Sequence, residues 1–256
     1  MSHVFFPIVC GVLVVSNAFA QIPRNVLSRV FQIRVPAGTA TSFILEDGDK
    51  QHIFTANHVV EDLGDHARIE LMSDEKWVSL DVRILHGDTK CEDVAVLIPE
   101  HKEPLLKADP LPRIKDFLIG QDAYFLGYPY GLAMQATKVH LSAALVKHAY
   151  FSALVRCSDL TPGTSDDKFV ILLDGFNNPG FSGGPVVTRD SNNPNRPFEV
   201  VGIISAYRAE STPISVNGQN AIGASVPTNT GIIVAVGVDR AFALIEADRA
   251  KAAQPK

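Results

Sequence analysis

The segment Asp174-Gly-Phe-Asn-Asn-Pro-Gly-Phe-Ser-Gly-Gly-Pro-Val-Val187 constrains the interpretation of the chain more than any other. Two prolines and four glycines surround one serine, Ser182, so the segment cannot be a helix and is too glycine-rich for a strand interior. It predicts a tight loop that presents a hydroxyl group with backbone N–H groups beside it. Acyl-transfer chemistry needs this combination of a hydroxyl nucleophile and preorganised donors.

The order of the histidines decides between two kinds of hydrolase. Gly180-Phe-Ser-Gly-Gly184 fits the G-x-S-x-G nucleophile elbow of α/β-hydrolases, in which the catalytic histidine follows the serine. All eight histidines of this chain precede Ser182, so that interpretation has no base. The order histidine, aspartate, serine is available instead.

Two upstream segments supply this order. The run Ile53-Phe-Thr-Ala-Asn57 favours a strand that delivers His58, and an apolar pair follows it. Asp93 stands immediately before Val94-Ala-Val-Leu-Ile98, which is typical of a fully buried strand. An acid at the mouth of that strand could accept the Nδ1 proton of the imidazole and stabilise the imidazolium. We therefore expect a catalytic triad of His58, Asp93 and Ser182.

These motifs resemble those of the chymotrypsin-fold serine proteases, and among them the high-temperature-requirement (HtrA or Deg-type) branch. The resemblance covers nearly the whole chain after its N-terminus and rests on the loop around Ser182 together with Thr55-Ala-Asn-His-Val-Val60, Asp93-Val-Ala-Val-Leu97, Gly127-Tyr-Pro-Tyr-Gly131 and Gly202-Ile-Ile-Ser-Ala-Tyr207. It implies an all-β fold of two antiparallel six-stranded β-barrels, chymotrypsin-like, with a C-terminal α-helix. It also implies a serine endopeptidase that forms an acyl-enzyme intermediate. No sequence repeat is visible between the two halves, so the two-barrel architecture comes from the resemblance alone.

The resemblance assigns the oxyanion hole to the backbone N–H groups of Gly180 and Ser182. Glycine suits position 180 because a Cβ would hinder the turn that points its N–H inward. In the trypsin-like digestive enzymes, the position of Phe181 is an aspartate that pairs with the N-terminal ammonium created by activation cleavage. Phenylalanine cannot form that ion pair, so we expect no zymogen activation by that route.

Substrate-binding residues are implied by the same resemblance. Phe176 matches the position that forms the floor of the primary pocket, where an aromatic residue disfavours lysine or arginine and favours an apolar side chain at the cleaved bond. Ser205, Ala206 and Tyr207 match the edge segment on which the substrate lies as an added strand. Tyr207 is bulkier than the glycine common nearby in the family and could narrow the pocket.

The remaining signals divide the chain after residue 20 into two barrels and a helix, which together form a trypsin-like protease domain over residues 21–256. Short strands and hairpin turns predict an N-terminal barrel over about 26–118 and a C-terminal barrel over about 119–237. Asp239 is a candidate N-cap for a helix over about 239–251 with an apolar stripe. Residues 211–230 carry no charge and predict a long loop, which is a lid, a pocket wall or a solvent-exposed excursion.

The N-terminus predicts export. Residues 4–15 form an apolar run too short to span a bilayer, and Ala18-Phe-Ala20 provides an A-x-A cleavage site. We expect a signal peptide over residues 1–20, cleavage after Ala20, and a secreted or periplasmic mature protein without a transmembrane span. A retained N-terminal anchor is the alternative, because the first residues include no lysine or arginine. Because the sequence ends at Lys256, we do not expect the PDZ domain of the best-known Deg-type proteins.

Composition and residue spacing argue against several classes of partner. The formal net charge is −5 and no basic run occurs, which argues against a nucleic-acid partner. No histidine or cysteine spacing is typical of a zinc site, so we expect neither a metal nor a cofactor. Cys91 and Cys157 remain after signal cleavage; they are either buried free thiols or a pair, and the sequence leaves that open.

The expected function is therefore that of a serine endopeptidase acting on polypeptide substrates. Two alternatives remain open from the sequence. One is a catalytically idle relative that keeps the fold as a binding module, and the other is an esterase-like hydrolase with the same triad.

Overall fold

The computed structural model describes residues 22–253 apart from 88–90, 102–103, 137–140, 161–166, 191–192, 194 and 217–218. The predicted signal peptide therefore lies outside the described residues. Within the described part of the chain, no helix is both long and apolar enough to cross a bilayer.

Six strands of the first half close into an antiparallel barrel in the order β1-β2-β3-β6-β5-β4. Pairing between β1 and β4, in which Ile33 lies opposite Leu71, completes the ring. A tight turn that contains Gly48 joins β2 to β3, and Gly48 takes a positive φ of 67° there, which glycine adopts readily. The strands are β1 (Val30–Val35), β2 (Gly38–Asp47), β3 (Lys50–Thr55), β4 (His66–Ser73), β5 (Lys76–His86) and β6 (Ala95–Pro99).

The second half forms another closed antiparallel barrel, in the order β10-β11-β14-β13-β12-β7. Numbered from its own first strand, this barrel has the same strand succession as the first barrel. The all-β architecture of two antiparallel six-stranded barrels is thus confirmed. The strands are β7 (Asp122–Gly127), β10 (Leu145–Arg156), β11 (Phe169–Asp174), β12 (Pro185–Thr188), β13 (Glu199–Val216) and β14 (Gln219–Gly237), with a separate two-stranded sheet of β8 (Met134–Ala136) and β9 (Leu141–Ala143).

Three apolar clusters account for most of the core. One fills the first barrel around Ile33 and Leu97, and one fills the second barrel around Phe125 and Phe151. The third lies between the barrels and includes residues of both. Burial of this third cluster fixes one barrel against the other, because apolar side chains from both would otherwise contact water.

The C-terminal helix α4 (Val238–Ala252) covers the cluster between the barrels. Its Phe242 ring stacks on Phe54 of β3 with centroids 5.1 Å apart. The helix was predicted correctly, but its cap was not: the N-cap residue is Gly237, and Asp239 lies inside the first turn. There the carboxylate still interacts favourably with the positive end of the helix dipole. Among the described residues, three further α-helices are single turns, namely α1 (Arg24–Leu27), α2 (Asn57–Val60) and α3 (Cys157–Leu160), and Pro129–Gly131 form a short 3₁₀ helix.

Instead of the long loop predicted for residues 211–230, the described residues 211–216 and 219–230 lie in two paired antiparallel strands. Strands β13 and β14 continue past the barrel and remain paired there, with Thr212 opposite Val226. We call residues 208–216 and 219–230 the hairpin arm. Its Ser, Thr, Asn, Gly and Pro content signalled a loop, whereas the cross-strand hydrogen bond between Thr212 and Thr228 (2.8 Å) shows that small hydroxyl side chains stabilise the pairing.

A disulfide bond joins the two halves of the chain. Cys91 lies between β5 and β6, and Cys157 begins helix α3 directly after β10. Their Cα atoms are 5.7 Å apart and both residues are buried. The pairing that the sequence left open is therefore a covalent connection between the first and the second barrel.

Candidate active site

The positions of His58 and Asp93 follow from the pairing of two neighbouring strands. His58 lies in α2, which begins two residues after β3 ends, and Asp93 lies two residues before β6 begins. Strands β3 and β6 are adjacent, and their last pair is Thr55 with Ala95. The end of one strand and the start of the other therefore meet at the same edge of the barrel, which brings the two side chains together.

Asp93 holds His58 through both carboxylate oxygens. The Nδ1 atom of the imidazole is 2.8 Å from Asp93 Oδ2, and the backbone N–H of His58 donates to Asp93 Oδ1 at 2.8 Å. The carboxylate is largely shielded from solvent, with 15% of its side chain exposed, whereas the imidazole keeps 43% exposed. A largely shielded acid thus orients a solvent-accessible imidazole, and the two contacts together fix the ring.

The interaction between His58 and Asp93 shifts the pKa of each residue. The hydrogen bond to Asp93 raises the pKa of His58 above its ordinary value, and burial opposes part of this effect. Burial alone would raise the pKa of Asp93, but its hydrogen bonds with His58 and Ser205 and the charge of His58 outweigh burial and lower it. Asp93 is therefore ionised at neutral pH, and it stabilises the protonated form of the imidazole.

Ser205 connects the acid to the predicted nucleophile. Its Oγ donates to Asp93 Oδ2 at 2.5 Å, and its carbonyl oxygen accepts a hydrogen bond of 3.4 Å from Ser182 Oγ. Ser205 was predicted only as part of a substrate-binding edge, and no local pattern in the sequence pointed to its contact with Asp93. This residue brings Asp93 of the first half and Ser182 of the second half within one hydrogen-bonded group.

Two glycines of the loop around Ser182 have backbone conformations that other residues rarely adopt. Gly180 has a φ of 102°, and a Cβ at this position would lie 2.5 Å from the carbonyl oxygen of Tyr128. Gly183 has a φ of 84°, and a Cβ there would lie 2.2 Å from the carbonyl oxygen of Thr41. The loop therefore requires glycine at both positions for conformation and for space.

Thr41 of β2 attaches the first barrel to this loop. Its hydroxyl donates to the carbonyl oxygen of Gly180 at 2.6 Å and accepts from the N–H of Tyr128 at 3.0 Å. Its own N–H donates to the carbonyl oxygen of Ser182 at 3.0 Å. Thr41 was not among the predicted site residues, because a threonine in a strand carries no distinguishing signal in the sequence.

The N–H groups of Gly180 and Ser182 are the predicted oxyanion-hole donors. Along the loop they alternate with N–H groups that donate hydrogen bonds within the protein. The N–H of Phe181 donates to Asn178, that of Gly183 to Ile204, and that of Gly184 to Phe181. Within the described part of the chain, the N–H groups of Gly180 and Ser182 donate to no backbone or side-chain acceptor. The carbonyl oxygens of Gly180 and Ser182 both accept hydrogen bonds from Thr41, which fixes these two residues. Their N–H groups are therefore held in place and available to an oxygen atom of a ligand.

Phe181 lies in the core of the second barrel. Its ring is fully buried and packs edge-on against Phe125 with centroids 4.9 Å apart. The apolar contact takes the place of any ion pair at this position and attaches the loop to the barrel directly.

Lys147 of β10 is the main site residue that was not predicted. Its ammonium donates to the carbonyl oxygen of Phe176 at 2.5 Å and to Asn178 Oδ1 at 2.6 Å. It also lies 5.6 Å from the centre of the Phe181 ring. Partial burial lowers the pKa of Lys147. One cation thus holds the segment that leads into Gly180 and Ser182 at two points.

The predicted specificity residues lie near this segment. Phe176 is 57% exposed, so the described residues do not enclose it as they would the floor of a closed pocket, and its role stays a prediction. Ser205 is buried, Ala206 is exposed and Tyr207 is partly exposed, all on β13 just beyond its pairing with β12. Among the described residues, no three His, Cys, Asp or Glu side chains are grouped so that they could hold a metal ion.

Comparisons with known proteins identify the family of this chain and proteins of the same fold. The family described as trypsin-like peptidase domain matches residues 40–203. Protease Do-like 1, chloroplastic, of Arabidopsis thaliana is 28% identical over 199 residues, which are 77% of this chain and 38% of that protein. The chain therefore spans well under half the length of that relative.

Solved structures show the same fold at low sequence identity. The Rv3671c protease of M. tuberculosis in an inactive form superposes with a TM-score of 0.56 at 18% identity, over 87% of this chain and 89% of that one. The HtrA-type protease AlgW, solved with a tripeptide, has a TM-score of 0.56 at 17% identity, over 87% of this chain and 60% of that one.

Proposed function

The chain belongs to the family of trypsin-like peptidase domains, and we propose that it is a serine endopeptidase that cleaves polypeptides through His58, Asp93 and Ser182. The observation that carries the proposal is the double contact between Asp93 and His58, with Ser205 joining this pair to Ser182. A largely shielded carboxylate on Nδ1 leaves Nε2 as the basic atom of the imidazole.

The reaction proceeds in two acyl-transfer steps. The Ser182 side chain first rotates from the Ser205 carbonyl toward the imidazole. Its hydroxyl proton then passes to His58 Nε2 while Oγ attacks the carbonyl carbon of the substrate. His58 then returns this proton to the leaving amine, and the bond between carbonyl carbon and nitrogen breaks to give an acyl-enzyme. In the second step a water molecule gives a proton to His58 and attacks the acyl carbon. His58 returns the proton to Ser182 Oγ as the ester bond breaks, which releases the carboxylic acid and free Ser182.

The N–H groups of Gly180 and Ser182 supply the oxyanion hole in this proposal. Their lack of other acceptors among the described residues supports the role, as does the positive φ of Gly180, which only glycine adopts readily. Losing one such donor typically costs about 3–4 kcal/mol of transition-state stabilisation.

Primary specificity and location complete the proposal. Phe176 offers an apolar surface next to the segment that carries the nucleophile, which favours an apolar side chain at the cleaved bond. The disulfide between Cys91 and Cys157 supports a secreted or periplasmic location, because such bonds persist in oxidising compartments.

A fluorophosphonate probe tests whether Ser182 is an activated nucleophile. We expect labelling of the wild type and none of Ser182→Ala or His58→Ala, with Ser42→Ala as a control that removes another buried serine hydroxyl. Digestion of casein and of a peptide library then measures peptide-bond cleavage. Labelling without peptide cleavage would indicate an esterase, and absence of labelling would indicate a binding protein.

A further inference from the structure

His52 of β3 is the one buried histidine among the described residues. It is 3% exposed, and neither of its ring nitrogens has a hydrogen-bond partner within the described part of the chain. Such a group is rare in folded proteins, because it loses its hydrogen bonds to water and gains none in return. His52 takes no part in the group formed by His58, Asp93 and Ser182, so the reaction does not explain why it is there.

His52 lies beneath the second half of helix α4. Successive side chains of a strand point to opposite faces, so His52 shares one face of β3 with Phe54. Phe54 stacks on Phe242 of α4, and Arg249 follows seven residues later, which is two turns along the same side of the helix. Arg249 Nη2 is 2.5 Å from Asp47 Oδ2 of β2, which has this charged contact but no aligned hydrogen bond. The imidazole therefore lies where α4 meets the first barrel.

Charged side chains from four elements act on the imidazole. They are Asp47 of β2, Lys50 of β3, Arg83 of β5 and Arg249 of α4. Burial is the largest influence and lowers the pKa of His52 below its ordinary value; Asp47 opposes this effect, and the three cations add to it. The folded protein therefore keeps His52 neutral at a pH where an exposed imidazole already binds a proton.

Two ion pairs attach this end of α4 to the first barrel. One is the contact between Arg249 and Asp47. In the other, both Arg83 guanidinium nitrogens Nη1 and Nη2 donate to the Asp248 carboxylate, at 2.8 and 2.7 Å. The side chain of Arg249 is 52% exposed, so water competes for its pair. Contacts of this kind open more readily than the apolar packing around Phe242.

We propose that His52 makes the attachment of helix α4 to the first barrel sensitive to acid. A proton bound to the buried imidazole creates a charge beside three cations and one carboxylate, without water to solvate it. Opening of the last turns of α4, over residues 245–252, lets water reach the ring. The same helix covers the apolar cluster between the barrels, so each opening also loosens the first barrel against the second.

The direction of the pH effect follows from the lowered pKa. Above a pH of about 6.5 the imidazole is neutral whether α4 is attached or open, so the attached form is fully stabilised. As the pH falls below 6.5, the open form binds a proton first, and the equilibrium moves toward opening until the pH reaches the lowered pKa of His52. From pH 8 to pH 5 the equilibrium constant for opening should rise by about threefold to thirtyfold; the upper limit applies when the attached form binds no proton.

Hydrogen–deuterium exchange of the α4 amides measures this opening. The protection factors of residues 242–251, corrected for the intrinsic exchange rate at each pH, report how often this end of the helix opens. We expect them to fall by about threefold to thirtyfold from pH 8 to pH 5. Protection factors that stay constant over this range would overturn the proposal.

A pair of matched variants tests whether His52 causes the effect. His52→Leu replaces the imidazole with a side chain that binds no proton and suits its apolar neighbours, Leu45 on the paired strand and Phe54. We expect this variant to lose most of the pH dependence of α4 protection. His66→Leu removes an exposed histidine and should keep the full dependence. Equal falls in protection in the wild type and in His52→Leu would contradict the proposal.

Nuclear magnetic resonance titration of the His52 ring in the wild-type protein needs no variant. A midpoint below 6.5, accompanied by falling α4 protection, would support the proposal. A midpoint at or above 6.5 while α4 stays protected would overturn it, because the ring would then reach water by a route that leaves the helix attached.

Discussion

At the scale of single residues, the contact between Asp93 and His58 determines how activity depends on pH. Catalysis needs the neutral imidazole, and the hydrogen bond to Asp93 raises the pKa of His58 above the ordinary value of 6.5. Activity should therefore rise with pH through a midpoint above 6.5. The measurement is kcat/KM between pH 5 and 9. His66→Gln is the control, because it removes another histidine that is paired with a carboxylate, Glu100 at 2.8 Å, in an exposed location. A profile of kcat/KM that stays flat with pH in the wild type would contradict the role of His58 as base.

Replacing the carboxylate tests its orienting role. Asp93→Asn keeps the size of the side chain but presents an amide to the imidazole, which favours the wrong tautomer. We expect turnover to fall by on the order of 10⁴, as for the corresponding change in related triads. Asp81→Asn removes another carboxylate, in an exposed pair with Arg68, and should leave turnover unchanged. Equal rates for both variants would show that Asp93 does not act on His58.

Lys147 positions the segment that leads into Gly180 and Ser182 through hydrogen bonds to Phe176 and Asn178, and it is not one of the reacting groups. Lys147→Met loses both of its hydrogen bonds, to Phe176 and Asn178, and should lower kcat by about tenfold to a hundredfold through misplacement of the oxyanion donors. KM and the melting temperature should change little, and Lys147→Arg should recover part of kcat. A purely structural role would instead lower the melting temperature and leave the kcat of the folded enzyme unchanged.

At the scale of elements, Gly180 joins the conformation of the loop around Ser182 to the predicted oxyanion hole, because its backbone N–H is one of the two predicted donors and its φ is 102°. Gly180→Ala would place a Cβ 2.5 Å from the Tyr128 carbonyl and 2.9 Å from the Tyr130 nitrogen, so the loop must shift. We expect kcat to fall by roughly 10²–10³, the usual effect of losing one oxyanion donor. Gly120→Ala is matched for backbone strain, with φ of 85° and no atom within 4 Å of the added Cβ. It should lower stability by about 1–2 kcal/mol and spare kcat.

The elements also show where the sequence was informative. The loop around Ser182 and the strand before His58 were recognisable because glycine, proline and β-branched residues have strong local preferences. The hairpin arm was not, because its pairing depends on cross-strand contacts such as that between Thr212 and Thr228, and its composition favours turns. Lys147 and Thr41 escaped prediction for a related reason: their partners lie far along the chain, and local sequence does not record such contacts.

At the scale of the whole molecule, the order of the three motifs predicted the fold through resemblance, while the equivalence of the two barrels became visible only in the strand order. The two halves share topology without recognisable sequence similarity, because many apolar sequences can fill a barrel of the same shape. Long-range contacts join the two halves into one site. They are made by the apolar cluster between the barrels, by Thr41 and by the disulfide.

The disulfide is the connection whose removal can be measured most directly. It links residues 66 apart, and by chain entropy a crosslink of that span stabilises the folded state by about 4 kcal/mol. For a chain of this size, that corresponds to a fall of about 8–16 °C in melting temperature on reduction or in the Cys91→Ser, Cys157→Ser double variant. Asp93 lies only two residues from Cys91 but is also held by His58 and Ser205, so kcat/KM at 25 °C should fall by less than about tenfold. Calorimetry and peptide assays with and without reductant measure both quantities, with the double variant as the control that should not respond to reductant. A wild-type melting temperature unchanged by reductant would show that the two barrels do not depend on this bond.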